Sequence, residues 1–227
     1  TIYIPIDVTP KSGSTVCEEH DIAFDRAADF LIAINGKEDS RVLVQSRYEV
    51  LRANYAESVY GFDTYIKGNE PDVDSPAFVN INMILKLDTV SESFLEKGGI
   101  AQTFETDLLK YGNANPKSSE FDSLADFIAE GDYIEIKIPW QMFNFADPSK
   151  MEIHDDYYDD NYGVAYINID EMYVGIGDET DRGNEDSLAT SRISMTPYRL
   201  KGWGNKVTYH ERLKASYYVL QRVWNDE

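Results

Sequence analysis

The chain has 227 residues, with 41 acidic against 21 basic side chains, a net charge of −20, and 13% aromatic residues that include sixteen tyrosines. That charge repels a phosphate backbone and an anionic membrane surface, which argues against nucleic acid and lipid headgroups as partners. No apolar run reaches the roughly 20 residues of a membrane helix, so membrane insertion is not expected. The single cysteine, Cys17, excludes an internal disulfide or a Cys-rich zinc site.

In chain order, "TIYIPIDV" alternates and predicts a strand. Residues 9–20 read as a loop from their Pro, Gly and Ser content. "ADFLIAING", 28–36, predicts an apolar strand, "GKEDS" a hairpin turn, and "RVLVQSRYEV" the returning strand. Within it Val42 and Val44 share one face and Leu43 takes the other, as in a sandwich strand covered on both sides. The polar and aromatic passage that follows predicts irregular structure. "AFVNINMILKLDTV", 77–90, predicts one long strand. Over 121–130 the spacing of Leu124, Phe127 and Ile128 predicts a short helix, with Asp122 or Ser123 as cap and Gly131 just past its end. "DYIEIKIP" sets Ile134, Ile136 and Ile138 against Tyr133, Glu135 and Lys137, the clearest half-buried strand in the chain.

The strand runs into Pro139 and Trp140. With Met142, Phe143 and Phe145 following, Trp140 is expected to plug the core. "KMEIH" and "VAYINIDEMYVGIG" predict further strands, and "SRISMTPYRL" a strand broken at Pro197. Leu213, Tyr217, Leu220 and Trp224 recur at helical spacing and predict a C-terminal helix. Eight to ten strands with two helices and no βαβ alternation predict a mainly β, antiparallel sandwich. The whole of 1–227 reads as one such domain, excised from a longer protein or matured by cleavage.

"GDYIEIKIPWQMFNFADPS" and, more loosely, "ADFLIAINGKEDSRVLVQSRYEV" resemble segments of the family 9 carbohydrate-binding modules and the related DOMON-like sandwiches of bacterial exported proteins. The two pieces cover under a fifth of the chain. The resemblance implies a jelly-roll-like β-sandwich, extracellular or at the cell surface, appended to a larger protein. Many such relatives bind sugars and some bind haem. Trp140 aligns with a strand-end tryptophan of structural character in that family. The paired sugar-stacking tryptophans find no counterpart, and His20, His154 and His210 are scattered.

The chemistry-bearing residues are few. "HDDYYDDNYG" gathers Asp155, Asp156, Asp159 and Asp160, which read as a solvated turn or as carboxylates for calcium, the one cofactor the sequence suggests. The turn does not have EF-hand spacing. Tyr157, Tyr158 and Tyr162 interleave with those acids and suit sugar contact, or equally the polar end of a sandwich. Asp178, Asp181 and Asp186 form a second acidic loop. Trp203 lies between Gly202 and Gly204, where there is little core to fill, and is a ligand-contact candidate. Trp224 belongs to the tail's apolar stripe. His210-Glu211 is half a zinc motif with no second histidine, and reads as a helix-surface pair. Nucleophile-elbow and phosphate-loop motifs are absent. The leading expectation is therefore a non-catalytic module that binds carbohydrate or serves as an accessory. The rivals are a carboxylate-pair hydrolase and a structural domain docking on neighbouring domains through its tail helix.

Overall fold

The computed structural model describes residues 1–48, 71–86, 102–154, 166–179, 192–204 and 221–224. Its alternating and apolar runs become strands: β1 Ile2–Asp7, β2 Ser14–Cys17, β3 Ile22–Ala28, β4 Phe30–Ile34, β5 Arg41–Gln45, β6 Phe78–Asn80, β7 Asn82–Lys86 and β8 Gln102–Glu105. They continue with β9 Phe127–Glu130, β10 Tyr133–Ile136, β11 Phe145–Asp147, β12 Glu152–His154, β13 Tyr166–Asn168, β14 Glu171–Gly175, β15 Gly177–Asp178 and β16 Met195–Arg199. The fold is mainly β, antiparallel and sandwich-like, with one short helix at the C-terminus. Of that tail helix, 221–224 is described, and Leu213, Tyr217 and Leu220 lie outside the described residues.

The main sheet runs β16-β14-β1-β4-β5-β6, with β15 also pairing β1. The expected hairpin forms, with Phe30 opposite Val44 and Ile32 opposite Val42. Every residue of β4 is buried, because both faces of the sheet are covered. Phe30, Ile32, Ile34, Val42 and Val44 enter one core with Phe127, Phe143, Phe145 and Ile153. Leu31, Ala33 and Leu43 enter a second core with Tyr3, Ile22, Phe24 and Phe78. The β9-β10 and β11-β12 ladders back the first core, and the β2-β3 hairpin backs the second. β2 arises inside the stretch read as a loop, with Cys17 paired to Ile22 and buried in the second core.

Pro5 sits in a central strand, where a missing N–H normally breaks the ladder. Here β14 holds Ile6 and Asp7 while β15 holds Ile2 and Tyr3, and Pro5 falls in the gap between the two pairings.

Several further expectations fail. The helix over 121–130 does not form: Phe127–Glu130 is a strand, zipped antiparallel to β10. Asp122 accepts the N–H of Leu124 at 2.9 Å and closes a local turn rather than capping a helix. Gly131, at φ +58°, makes the tight connection between the two strands. The strand expected over 77–90 is two, β6 in the main sheet and β7 paired with β8, parted at Ile81. The long strand over 164–177 likewise divides into β13, which pairs β12, and β14, which pairs β1. Pro197, finally, does not break its strand, because β16 is the outer strand of the sheet and Pro197 is accommodated opposite Tyr173.

Candidate functional site

Strands β1 and β14 alternate, and each presents a different chemistry on its two sides. On one side Ile4 and Ile6 of β1 join Met172 and Val174 of β14; on the other, Asp7 joins Glu171 and Tyr173. Each side has its own cavity.

The apolar side carries an open groove of about 310 Å³ between the main sheet and the β10 end, closed by Ile136, Ile138, Trp140 and Phe143. Trp140 opens the 3-10 turn Trp140–Phe143 and packs edge-on to Phe145, with ring centroids 4.8 Å apart. It remains 37% exposed and lines the groove, so it does not plug the core. Phe143 does that: it is buried, with its ring 5.3 Å from that of Phe30.

The polar side carries an open cleft of about 660 Å³. Asp7, Thr9 and Arg26 line it together with Glu171 and Tyr173 from β14, Arg199 from β16, Asn168 from the end of β13 and Asp170 from the β13–β14 connection. Arg26 donates from Nε to the Asp7 carboxylate, and its guanidinium lies 3.5 Å from the centroid of the Tyr173 ring. The Tyr173 hydroxyl in turn donates to Glu171 at 2.6 Å, and Arg199 Nε stands 3.7 Å from the same carboxylate. The cleft thus sets fixed donors beside fixed acceptors.

Behind Asp7 lies Asp29, which is 0% exposed. Its carboxyl accepts the N–H groups of Val8 at 2.8 Å and Thr9 at 2.9 Å, and the Ser12 hydroxyl at 3.3 Å. Burial, and then the charge of Asp7 beside it, hold Asp29 well above the usual carboxylate range. Burial also raises Asp7, against the opposing pull of Arg26. Gly13 lets the loop close over this pair: at φ +105°, its Cβ would stand 3.1 Å from the Asp29 carboxyl.

Trp203 is 55% exposed on a segment with little freedom: its N–H and that of Gly204 both donate to the Ser149 carbonyl, at 3.1 and 3.2 Å. The segment leaves the cleft wall at Arg199 and Leu200. The Ser149 turn is tied back to the cleft, because Asn168 donates to the carbonyl of neighbouring Lys150 at 3.0 Å. Trp203 and the cleft are therefore neighbours in the fold. Tyr157 and Tyr158, and the calcium candidates Asp155, Asp156, Asp159 and Asp160, lie outside the described residues, as do Asp181 and Asp186. Asp178 lies in β15, opposite Ile2. Among the described residues no group of three or more His, Cys, Asp or Glu side chains is arranged to hold a metal ion, and no helix is long and apolar enough to cross a membrane. Burial pushes the Cys17 thiol far up, which keeps it protonated and unreactive.

Sequence reading missed Asp7, Arg26 and Tyr173: the β1-β14 register sets Asp7 opposite Tyr173, and the separate β2-β3 hairpin brings Arg26 to both. One signal was present: "NID" places Asn168 and Asp170 inside a run otherwise read as a single strand. No protein-family model, curated protein or solved structure matches the chain.

Proposed function

We propose that this chain is a non-catalytic β-sandwich module of an exported bacterial protein that binds carbohydrate in the polar cleft. The observation that carries the reading is the cleft's fixed array of guanidinium, carboxylate and amide groups around Arg26, Glu171 and Asn168. Sugar hydroxyls donate and accept at once, and a site with both functions in place recognises them at low entropic cost. Trp203, exposed on a tethered turn beside the cleft, suits stacking on a sugar face. A hydrolase would need a carboxylic acid free to deliver its proton, and Asp7 is engaged by Arg26.

A thermal-shift and calorimetric screen against oligosaccharides tests the reading. A ligand that binds only the folded state raises the melting temperature by mass action. Trp203→Ala is expected to alter stability by no more than about 0.5 kcal/mol, as surface changes do, and to weaken the bound sugar at least roughly tenfold, about 1.4 kcal/mol. If no saccharide shifts the melt or releases heat, the reading fails. Adding calcium after EDTA in the same screen tests whether the 155–160 turn holds a cation.

A second reading, docking against a neighbouring domain, draws support from the apolar groove and from Val223 and Trp224, which are 57% and 72% exposed on the tail helix.

A further inference from the structure

We propose that the cleft selects an acidic sugar, a hexuronate, by seating its carboxylate on the guanidinium of Arg26; this rests on the carbohydrate reading above. Arg26 is held in place before any ligand arrives. Its Nε is committed to Asp7, and its guanidinium carbon lies 3.5 Å from the centroid of the Tyr173 ring, whose own hydroxyl is fixed by Glu171. Its two terminal nitrogens donate to no acceptor among the described residues, and the side chain is 42% exposed at the cleft. A guanidinium with one edge anchored and its outer fork open matches the two oxygens of a carboxylate, and the anchoring removes most of the rotamer entropy such a contact usually costs.

The neighbouring acids do not cancel the fork. Asp7 offsets the charge of Arg26 but occupies only its Nε and leaves the terminal nitrogens open, and Glu171 is engaged by the Tyr173 hydroxyl and faces Arg199, an 87% exposed second cation. Asp170 and the side-chain oxygen of Asn168, whose amide donates to the Lys150 carbonyl, also line the cleft and face the ring hydroxyls. The chain's charge of −20 repels anions at long range, but salt screens that field beyond about 8 Å at 0.15 M, and inside that distance the local fork decides. Among the sugars that could enter the cleft, Arg26 therefore acts as a specificity-determining residue.

The test compares galacturonate and glucuronate oligosaccharides with their carboxyl-reduced counterparts, which keep the same rings and linkages, by calorimetry on the full chain in 0.15 M salt. The acidic form is expected to bind at least tenfold tighter. Arg26→Gln should abolish that preference. Arg26→Lys keeps a cation for Asp7, and so protects the fold, but lacks the fork; it should lose most of the preference too, while the melting temperature reports that the variant is folded. Equal binding of acidic and reduced forms by the unmodified chain, or a preference that survives in Arg26→Lys, overturns the proposal and leaves the carbohydrate reading standing. Binding of neither form overturns the proposal as well, and the wider saccharide screen then decides the carbohydrate reading.

Discussion

At the scale of single residues, the behaviour of the Asp7–Asp29 pair follows from the removal of water. A carboxylate in bulk solvent is solvated on all sides; Asp29 has two backbone N–H groups, one hydroxyl and a second acid beside it. Folding raises both pKa values above those of the unfolded chain. The pair therefore binds protons more tightly when folded. Its contribution to stability is complete below the unfolded carboxylate range and is lost as pH rises through the folded values. Asp29→Asn keeps an oxygen for Val8 and Thr9 but cannot ionise. Denaturant unfolding should show its stability falling less between pH 4 and pH 8 than that of the parent chain. Asp29→Ala, which leaves those N–H groups buried and unpaired, should cost about 3 kcal/mol near pH 4 and less at pH 8, where the parent chain has itself lost stability.

The aromatic pair at the β10 end separates by burial. Phe143→Ala should cost about 3–5 kcal/mol, as for a core aromatic. Trp140→Ala should cost clearly less, because over a third of that side chain already meets solvent. A larger loss for Trp140 in parallel melts would contradict the assignment of Phe143 as the plug. The sequence "IPWQMFNF" shows that an aromatic closes the core there, but not which one, since that depends on the direction in which the 3-10 turn rolls. Trp203 was legible as a contact candidate from its flanking glycines. The cleft beside it was not, because Arg26 belongs to the β2-β3 hairpin and meets Tyr173 and Asp7 only where that hairpin packs on the main sheet.

At the scale of elements, legibility follows whether a local pattern has one partner or two. β1, the β4-β5 hairpin and β10 carry runs that fit a single sheet, and they form where expected. The 121–130 segment carries a helical spacing by coincidence: Leu124 is 69% exposed, and adjacent Phe127 and Ile128 are both buried. β10 stands two residues beyond and offers a complete ladder, which outweighs a weak helix prior. The runs 77–90 and 164–177 alternate without a visible stop, yet each serves two sheets. The switch is made by backbone hydrogen bonds at the break, as where the Ile81 carbonyl accepts the Thr106 N–H at 2.9 Å.

Close approach between strands also sets one side chain. A Cβ on Gly175 would meet Ile193 Cγ2 and the Ser194 carbonyl oxygen, each at 2.9 Å. Gly175→Ala should therefore destabilise by about 2 kcal/mol, the scale of overpacking a tight interior. A neutral result in chemical denaturation would mean that this contact relaxes without cost.

At the scale of the whole molecule, the main sheet is covered on both faces at β4, and towards one end, where β16, β14 and β1 lie, the described residues leave the cleft and the groove open. The expectation of a sandwich held at this scale because period-two patterning with few helical stretches leaves little else for the chain's apolar residues to form. The outer strand at that end has one more consequence. Every sheet that stops leaves a row of backbone groups able to recruit a stranger's strand, and concentration turns that opportunity into fibres. In β16 the row is interrupted at Pro197, between exposed Thr196 and Tyr198. Pro197→Val would supply a donor and a strand-favouring side chain, and sedimentation at rising concentration should then show self-association that the parent chain lacks. An outer strand can stay exposed when it is spoiled in this way as a template for growth.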